Sequence, residues 1–179
     1  MRAPQISSSA SPLALTEISR RFLRNLHRIP DTTELTPLEI PRDLHDAMVA
    51  HCLREAPLEC CGLLGGFAPR VSSFHPLRNA AASETRYDAD PHDLIAAVVS
   101  LRDRGAEILA IYHSHPRWEA VPSKTDLREN HYGAVPRIIV SLLGEVPDVR
   151  VWRLDPDAYE ELAWRIVEPE PSDAGGASS

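Results

Sequence analysis

The chain has 179 residues, 43% of them hydrophobic, and a formal charge of −7. That length supports one ordinary core and excludes two large domains, while the acidic balance lacks the basic footprint of a phosphate-neutralising protein, so no nucleic-acid partner is expected. Three cysteines, two of them adjacent (Cys60 and Cys61), do not suit a secreted disulfide framework, and no apolar run approaches the ~18 residues of a spanning helix; a cytoplasmic protein with no membrane partner is expected.

Residues 1–39 read as an N-terminal extension. Residues 1–12 are rich in Ser, Ala and Pro and are expected to be disordered. Arg2, Arg20, Arg21, Arg24 and Arg28 face a single acid, Glu17, within residues 1–30, and Leu15, Ile18, Phe22, Leu26 and Ile29 recur at helical period. This pattern fits either a loosely attached amphipathic helix or an organelle transit segment. Turn formers over 31–39 read as a linker. The folded domain is expected over 40–167, and the polar stretch 168–179 as a disordered tail.

Leu44, Ala47, Met48 and Cys52 predict a helix from Pro41 to about Glu55, ended by Pro57. Cys61–Phe67 reads as a short buried strand whose glycines let another backbone approach, with Val71–Leu77 as its partner and Thr85–Asp88 as a third strand. Asp90 and Pro91 start a second helix carrying Leu94, Ile95, Val98 and Leu101 and closing at Gly105. Ile108–His115 follows as a strand, then a short helix from Ser123 to about His131, then strands at Arg137–Leu143, Val149–Leu154 and Leu162–Val167. Mixed strands and helices without strict βαβ repetition indicate an α+β fold, a mixed sheet flanked by helices.

The chemistry-bearing stretch runs from His113 to Asp126, HSHPRWEAVPSKTD. Strand side chains alternate faces, so His113 and His115 project together while Ser114 points away. Two imidazoles on one face are a natural pair of zinc ligands, and Asp126 from the next element can supply a third, leaving a fourth position for water. Ser123-x-x-Asp126 reads equally as a helix-capping box. His75, His92 and His131 read as solvated or hydrogen-bonded histidines without a metal role. Cys60 and Cys61 lie at no ligand spacing and read as small buried apolar residues.

His-x-His, seven residues, Ser, two residues and Asp, with a glutamate upstream, resembles the JAMM or MPN-domain metalloproteases. Seven residues, Pro116 to Pro122, separate His115 from Ser123, Lys124 and Thr125 separate Ser123 from Asp126, and Glu59 precedes the small apolar strand. The resemblance spans about 40–167. It implies the JAMM/MPN, cytidine-deaminase-like form of the α+β fold, one zinc ion held by His113, His115 and Asp126, Glu59 as general base and Ser123 as hydrogen-bond donor to the oxyanion. Ser114 is implied only as a supporting residue, and Glu55, the rival glutamate, is expected on the helix surface.

Members of the family typically cleave the bond between the C-terminal glycine of a ubiquitin-like protein and an amine. The flanking text IYHSH, the EA-x-PS-x-TD loop and ECCG look most like the CysO-cysteine hydrolase branch. That implies a ubiquitin-like sulfur-carrier protein with C-terminal Gly-Gly as partner and cysteine as leaving group. Competing readings are an isopeptidase or carrier-tail peptidase of the same chemistry, a RadC-like protein, and a non-catalytic MPN scaffold. The chain lacks an apparent helix-hairpin-helix segment, and it keeps every ligand that scaffolds lose.

Overall fold

A computed structural model describes residues 36–169. The expected N-terminal helix or transit segment and most of the expected tail lie outside them. The elements are β1 (Leu38–Pro41), α1 (Arg42–Glu55), β2 (Cys61–Phe67), β3 (Arg70–Leu77), α2 (Pro91–Asp103), β4 (Glu107–His115), α3 (Lys124–Arg128), β5 (Arg137–Ser141), β6 (Asp148–Leu154), β7 (Tyr159–Glu161) and β8 (Trp164–Val167). The strands form one mixed sheet in the order β7-β6-β5-β4-β2-β3-β1-β8. β1 runs parallel to β3 and β8, and β4 parallel to β5, while the other neighbours are antiparallel. This is the expected α+β class.

Period-two alternation divides the core between the two faces. Cys60, Leu64, Ala110, Tyr112, Ile138 and Val140 pack with Met48 and Cys52 of α1. Cys61, Leu63 and Ile111 turn the other way and pack with Leu94, Ala97 and Val98 of α2. Each helix therefore covers one face with a narrow apolar stripe. α2 starts where the sequence indicates: the Asp90 side chain accepts from the His92 and Asp93 amides at 3.0 and 3.2 Å, Pro91 occupies the first turn, and Gly105 lies beyond the last at φ 67°.

β2 is the thin strand at the centre. A methyl group at Gly62 would overlap the Tyr112 ring and the His75 carbonyl, and one at Gly66 would strike the backbone of Arg70. The glycines thus admit the close approach that the sequence suggests. Among the described residues no helix is long and apolar enough to cross a membrane.

Four local expectations are corrected. β1 begins at Leu38, inside the expected linker, because it pairs with β8 from the far end of the chain. Thr85–Asp88 is not a strand: Asn79 takes the backbone groups that a strand would have paired, its Oδ1 accepting from the Ala81 and Asp88 amides and its Nδ2 donating to the Glu59 and Arg86 carbonyls. α3 stops at Arg128 rather than near His131, since Asn130 Nδ2 donates to the Gly133 and Leu154 carbonyls and turns the chain away. Tyr159–Glu161 forms an additional short strand, exposed along its length.

Gly62→Ala should destabilise the fold by about 1–3 kcal/mol, the usual cost of overpacking. The measurement is the urea midpoint at constant m-value, and an unchanged midpoint would mean that Tyr112 can yield.

Candidate metal centre and active site

The parallel pair β4 and β5 creates the site. The chain leaves the end of β4, crosses through α3 and returns as β5, so the last residues of β4 meet the start of α3. The seven-residue spacer is fixed by three successive carbonyls. Ser141 Oγ donates to Trp118, His115 Nδ1 to Glu119 at 2.8 Å, and Trp152 Nε1 to Ala120 at 2.8 Å. Ser123 then caps α3: its Oγ accepts from the Asp126 amide at 3.2 Å, and its own amide donates to Asp126 Oδ2 at 2.7 Å. The capping box is therefore present in full.

His113, His115 and Asp126 come together as a group that could hold a metal ion. His113 Nε2 lies 3.1 Å from His115 Nε2 and 3.2 Å from Asp126 Oδ1, and His115 Nε2 lies 3.6 Å from Asp126 Oδ2. Ligands at ~2.0–2.1 Å from a tetrahedral zinc ion stand about 3.3 Å apart, which the two Nε2 atoms and the Oδ1 beside His113 match, while the carboxylate turns its other oxygen toward His115. The bond from His115 Nδ1 to Glu119 fixes the proton on that nitrogen and leaves the Nε2 lone pair facing the group. The His113 ring is fully buried and stacks on Tyr87 at 4.7 Å between centroids. Burial pushes the Asp126 carboxyl up, but the adjacent imidazoles and the Ser123 bonds outweigh it and hold the group well below the usual carboxylate range.

Glu59 stands just before β2, buried to 5% exposure, and lines one cavity with Ser123 and Asp126. Its backbone is tied on both sides, the amide donating to the Ser83 carbonyl and the carbonyl accepting from Asn79. Its carboxylate makes no hydrogen bond among the described residues. Burial pushes its pKa up to about 7 against the favourable field of His115. The next residue is anchored too, as the Cys60 amide donates to Ser114 Oγ at 2.9 Å. Ser114 thus points away from the donors, as alternation predicts, and secures the strand that carries Glu59.

The remaining candidates fall elsewhere. Glu55 is exposed on α1. His75 bonds Ser73 Oγ at 3.0 Å and His92 is exposed, whereas exposed His131 lines the cavity. Cys52, Cys60 and Cys61 are free and buried, with the Cys52 and Cys60 sulfurs 3.3 Å apart on the α1 face. Sequence reasoning missed Tyr87, Asn79 and Arg137, whose placement depends on contacts far along the chain.

The family model described as prokaryotic homologs of the JAB domain matches residues 41–155. A Thermus thermophilus protein named "Probable TtuB-protein conjugate cleaving protease" is 44% identical over 103 residues, 57% of this chain and 68% of that protein. The CysO-cysteine peptidase of Mycobacterium tuberculosis is 35% identical over 136 residues, 73% of this chain and 84% of that one. A solution structure of a protein from Desulfitobacterium hafniense superposes with a TM-score of 0.67 at 29% identity, over 73% of this chain and 93% of the other. With the family motif complete in sequence and its donor residues brought together beside a cavity that Asp126 lines, the chain belongs to the JAMM/MPN family and is a hydrolase of the JAMM type.

Proposed function

We propose that the protein is a zinc-dependent hydrolase that frees cysteine from the C-terminal glycine of a ubiquitin-like sulfur-carrier protein. The observation that carries this reading is the convergence of donor atoms of His113, His115 and Asp126 within 4.8 Å of one another, beside a cavity that Glu59 and Asp126 line. Two imidazoles and one carboxylate form a donor set for catalytic zinc with one position open. The relative named CysO-cysteine peptidase, matched over 84% of its length, supports cysteine as the leaving group. The Thermus thermophilus relative, named for cleaving protein conjugates, favours a second reading in which the same site acts as an isopeptidase.

In the proposed reaction a zinc ion held by His113, His115 and Asp126 supplies a Lewis acid and a more acidic water. Glu59 takes the proton of the attacking water and returns it to the departing amine nitrogen as the carbon–nitrogen bond breaks. In the metal-free protein burial raises the proton affinity of Glu59, and its role as proton carrier rests on its place in the cavity that Ser123 and Asp126 also line. Ser123 Oγ accepts one bond from the Asp126 amide and keeps its own proton, which it donates to the oxyanion that develops on the substrate carbonyl.

Metal analysis should find one zinc per chain, and incubation with a ubiquitin-fold carrier ending in Gly-Gly-Cys should release free cysteine. Normal activity in metal-free protein would sink the mechanism, and zinc without cleavage of that adduct would favour the isopeptidase reading. Glu59→Gln should keep its zinc and lose hydrolysis by at least ~10²-fold. Ser123→Ala should lower kcat by ~10²–10³ with metal content retained. Zinc lost in step with rate would instead leave Ser123 a cap alone.

In chelated, metal-free protein, buried Glu59 favours the neutral form. Its contribution to stability is complete below pH 4.5 and disappears as pH rises through about 7. Metal-free Glu59→Gln should therefore match the wild type near pH 4 and exceed it at pH 8 by on the order of 3 kcal/mol, read from denaturant midpoints. Parallel pH profiles would mean that the carboxyl is solvated.

A further inference from the structure

The cavity beside the donors contains a cation that the proposed reaction leaves unused. Arg137 opens β5, and its pairing with Ile111 turns it to the sheet face of His113 and His115. It is only 2% exposed, yet it lines the cavity shared by Glu59, Ser123 and Asp126. Its guanidinium donates to Asn130 Oδ1 at 2.6 Å and to the Val135 carbonyl at 3.2 Å, and it lies 5.0 Å over the Tyr132 ring. Among the described residues no carboxylate reaches it within ion-pair distance. Burial lowers its pKa, but a guanidinium stays protonated in proteins. The buried charge is thus hydrogen-bonded only to neutral acceptors, with a ring face beside it and donors to spare, and the Asp126 carboxylate in the same cavity acts on it through its field without forming an ion pair. Buried charges are ordinarily paired by direct contact, so the free donors of this one leave room for a directly bonded anion.

We propose that Arg137 binds the free α-carboxylate of the leaving group, so that the enzyme selects adducts whose departing amine belongs to an amino acid with an unblocked carboxylate. The inference rests on the hydrolase reading above and specifies its leaving group. In a carrier ending in Gly-Gly-Cys, the tail around the scissile bond is neutral peptide, and the one nearby anion is the cysteine carboxylate, two bonds from the scissile nitrogen. A lysine isopeptide puts no anion there. Arg137 stands two residues before Ile139, the register partner of His113, a separation of about 7 Å along the strand. The fork of a guanidinium suits a carboxylate, and Asn130 and Val135 hold it in one orientation.

The test uses metal-loaded full-length protein and three substrates: a ubiquitin-fold carrier whose Gly-Gly end bears cysteine, cysteine amide, or a lysine side chain in isopeptide linkage. The wild type should cleave the cysteine adduct with kcat/KM about ten-fold or more above the amide, the discrimination expected of a hydrogen-bonded charge. In Arg137→Gln the acid-to-amide ratio should fall to near one, whatever the absolute rate, and Arg137→Lys should restore part of it by keeping the charge without the fork. Equal cleavage of both adducts by the wild type would overturn the carboxylate site, leave the hydrolase reading standing and require no variant to fold. An unchanged ratio in Arg137→Gln would overturn it as well, reducing Arg137 to a prop for residues 130–135. Cleavage of the isopeptide alone would overturn the cysteine reading and this site together.

Discussion

The site depends on the register of β4, held between β2 on one side and β5 on the other. Cys61 pairs with His113 across the antiparallel ladder, and Ile139 pairs with the same histidine across the parallel one. A strand has period two, so a slip of one residue would turn both imidazoles into the α1 core and put Ser114 in their place. Each face resists that slip. Tyr112 and Ala110 are wholly buried against α1, and Ile111 packs with α2. The apolar residues that hold β4 in position therefore also fix which way the donors point.

The same framework divides labour between two carboxylates. Asp126 sits against two imidazoles and a helix cap and is held as the anion. Glu59 lies where burial dominates, with no hydrogen-bond partner among the described residues, and its proton affinity rises toward neutrality. The surroundings alone thus drive two chemically similar groups apart in acidity, a pattern that recurs in hydrolytic sites.

Local chemistry was readable from the sequence, and long-range placement was not. His113, Ser114 and His115 alternate by strand geometry, and Ser123 and Asp126 obey capping rules, so their arrangement follows from neighbours within fourteen residues. The importance of the seven-residue spacer was carried by the family resemblance; its physical reason, three consecutive carbonyls anchored by Ser141, His115 and Trp152, involves β5 and β6. Glu59 likewise stood out by resemblance, since nothing local says that a glutamate before a strand will share a cavity with Asp126. Thr85–Asp88 looked like a strand because threonine and tyrosine favour one. Asn79 overrides that preference by saturating the nearby backbone, and the loop it creates lays Tyr87 on His113. β1 escaped notice because its partner β8 lies more than a hundred residues away. Arg137 resembled any polar start to a strand until the fold placed it, buried, in the lining of the cavity.

The capping box links two equilibria that are usually treated separately. α3 has five residues, far below the length at which a helix persists unaided in water, and its cap is made by the same carboxylate that completes the donor group. Fraying of so short a helix would carry the carboxylate away from the imidazoles. The observed dissociation constant for an ion at these donors is then the intrinsic one divided by the fraction of molecules in which α3 is formed. Retention of an ion there would thereby depend on local order in one turn of helix as well as on the donors themselves, and residues outside the donor group, such as Asn130 at the end of that turn, would gain leverage over its occupancy.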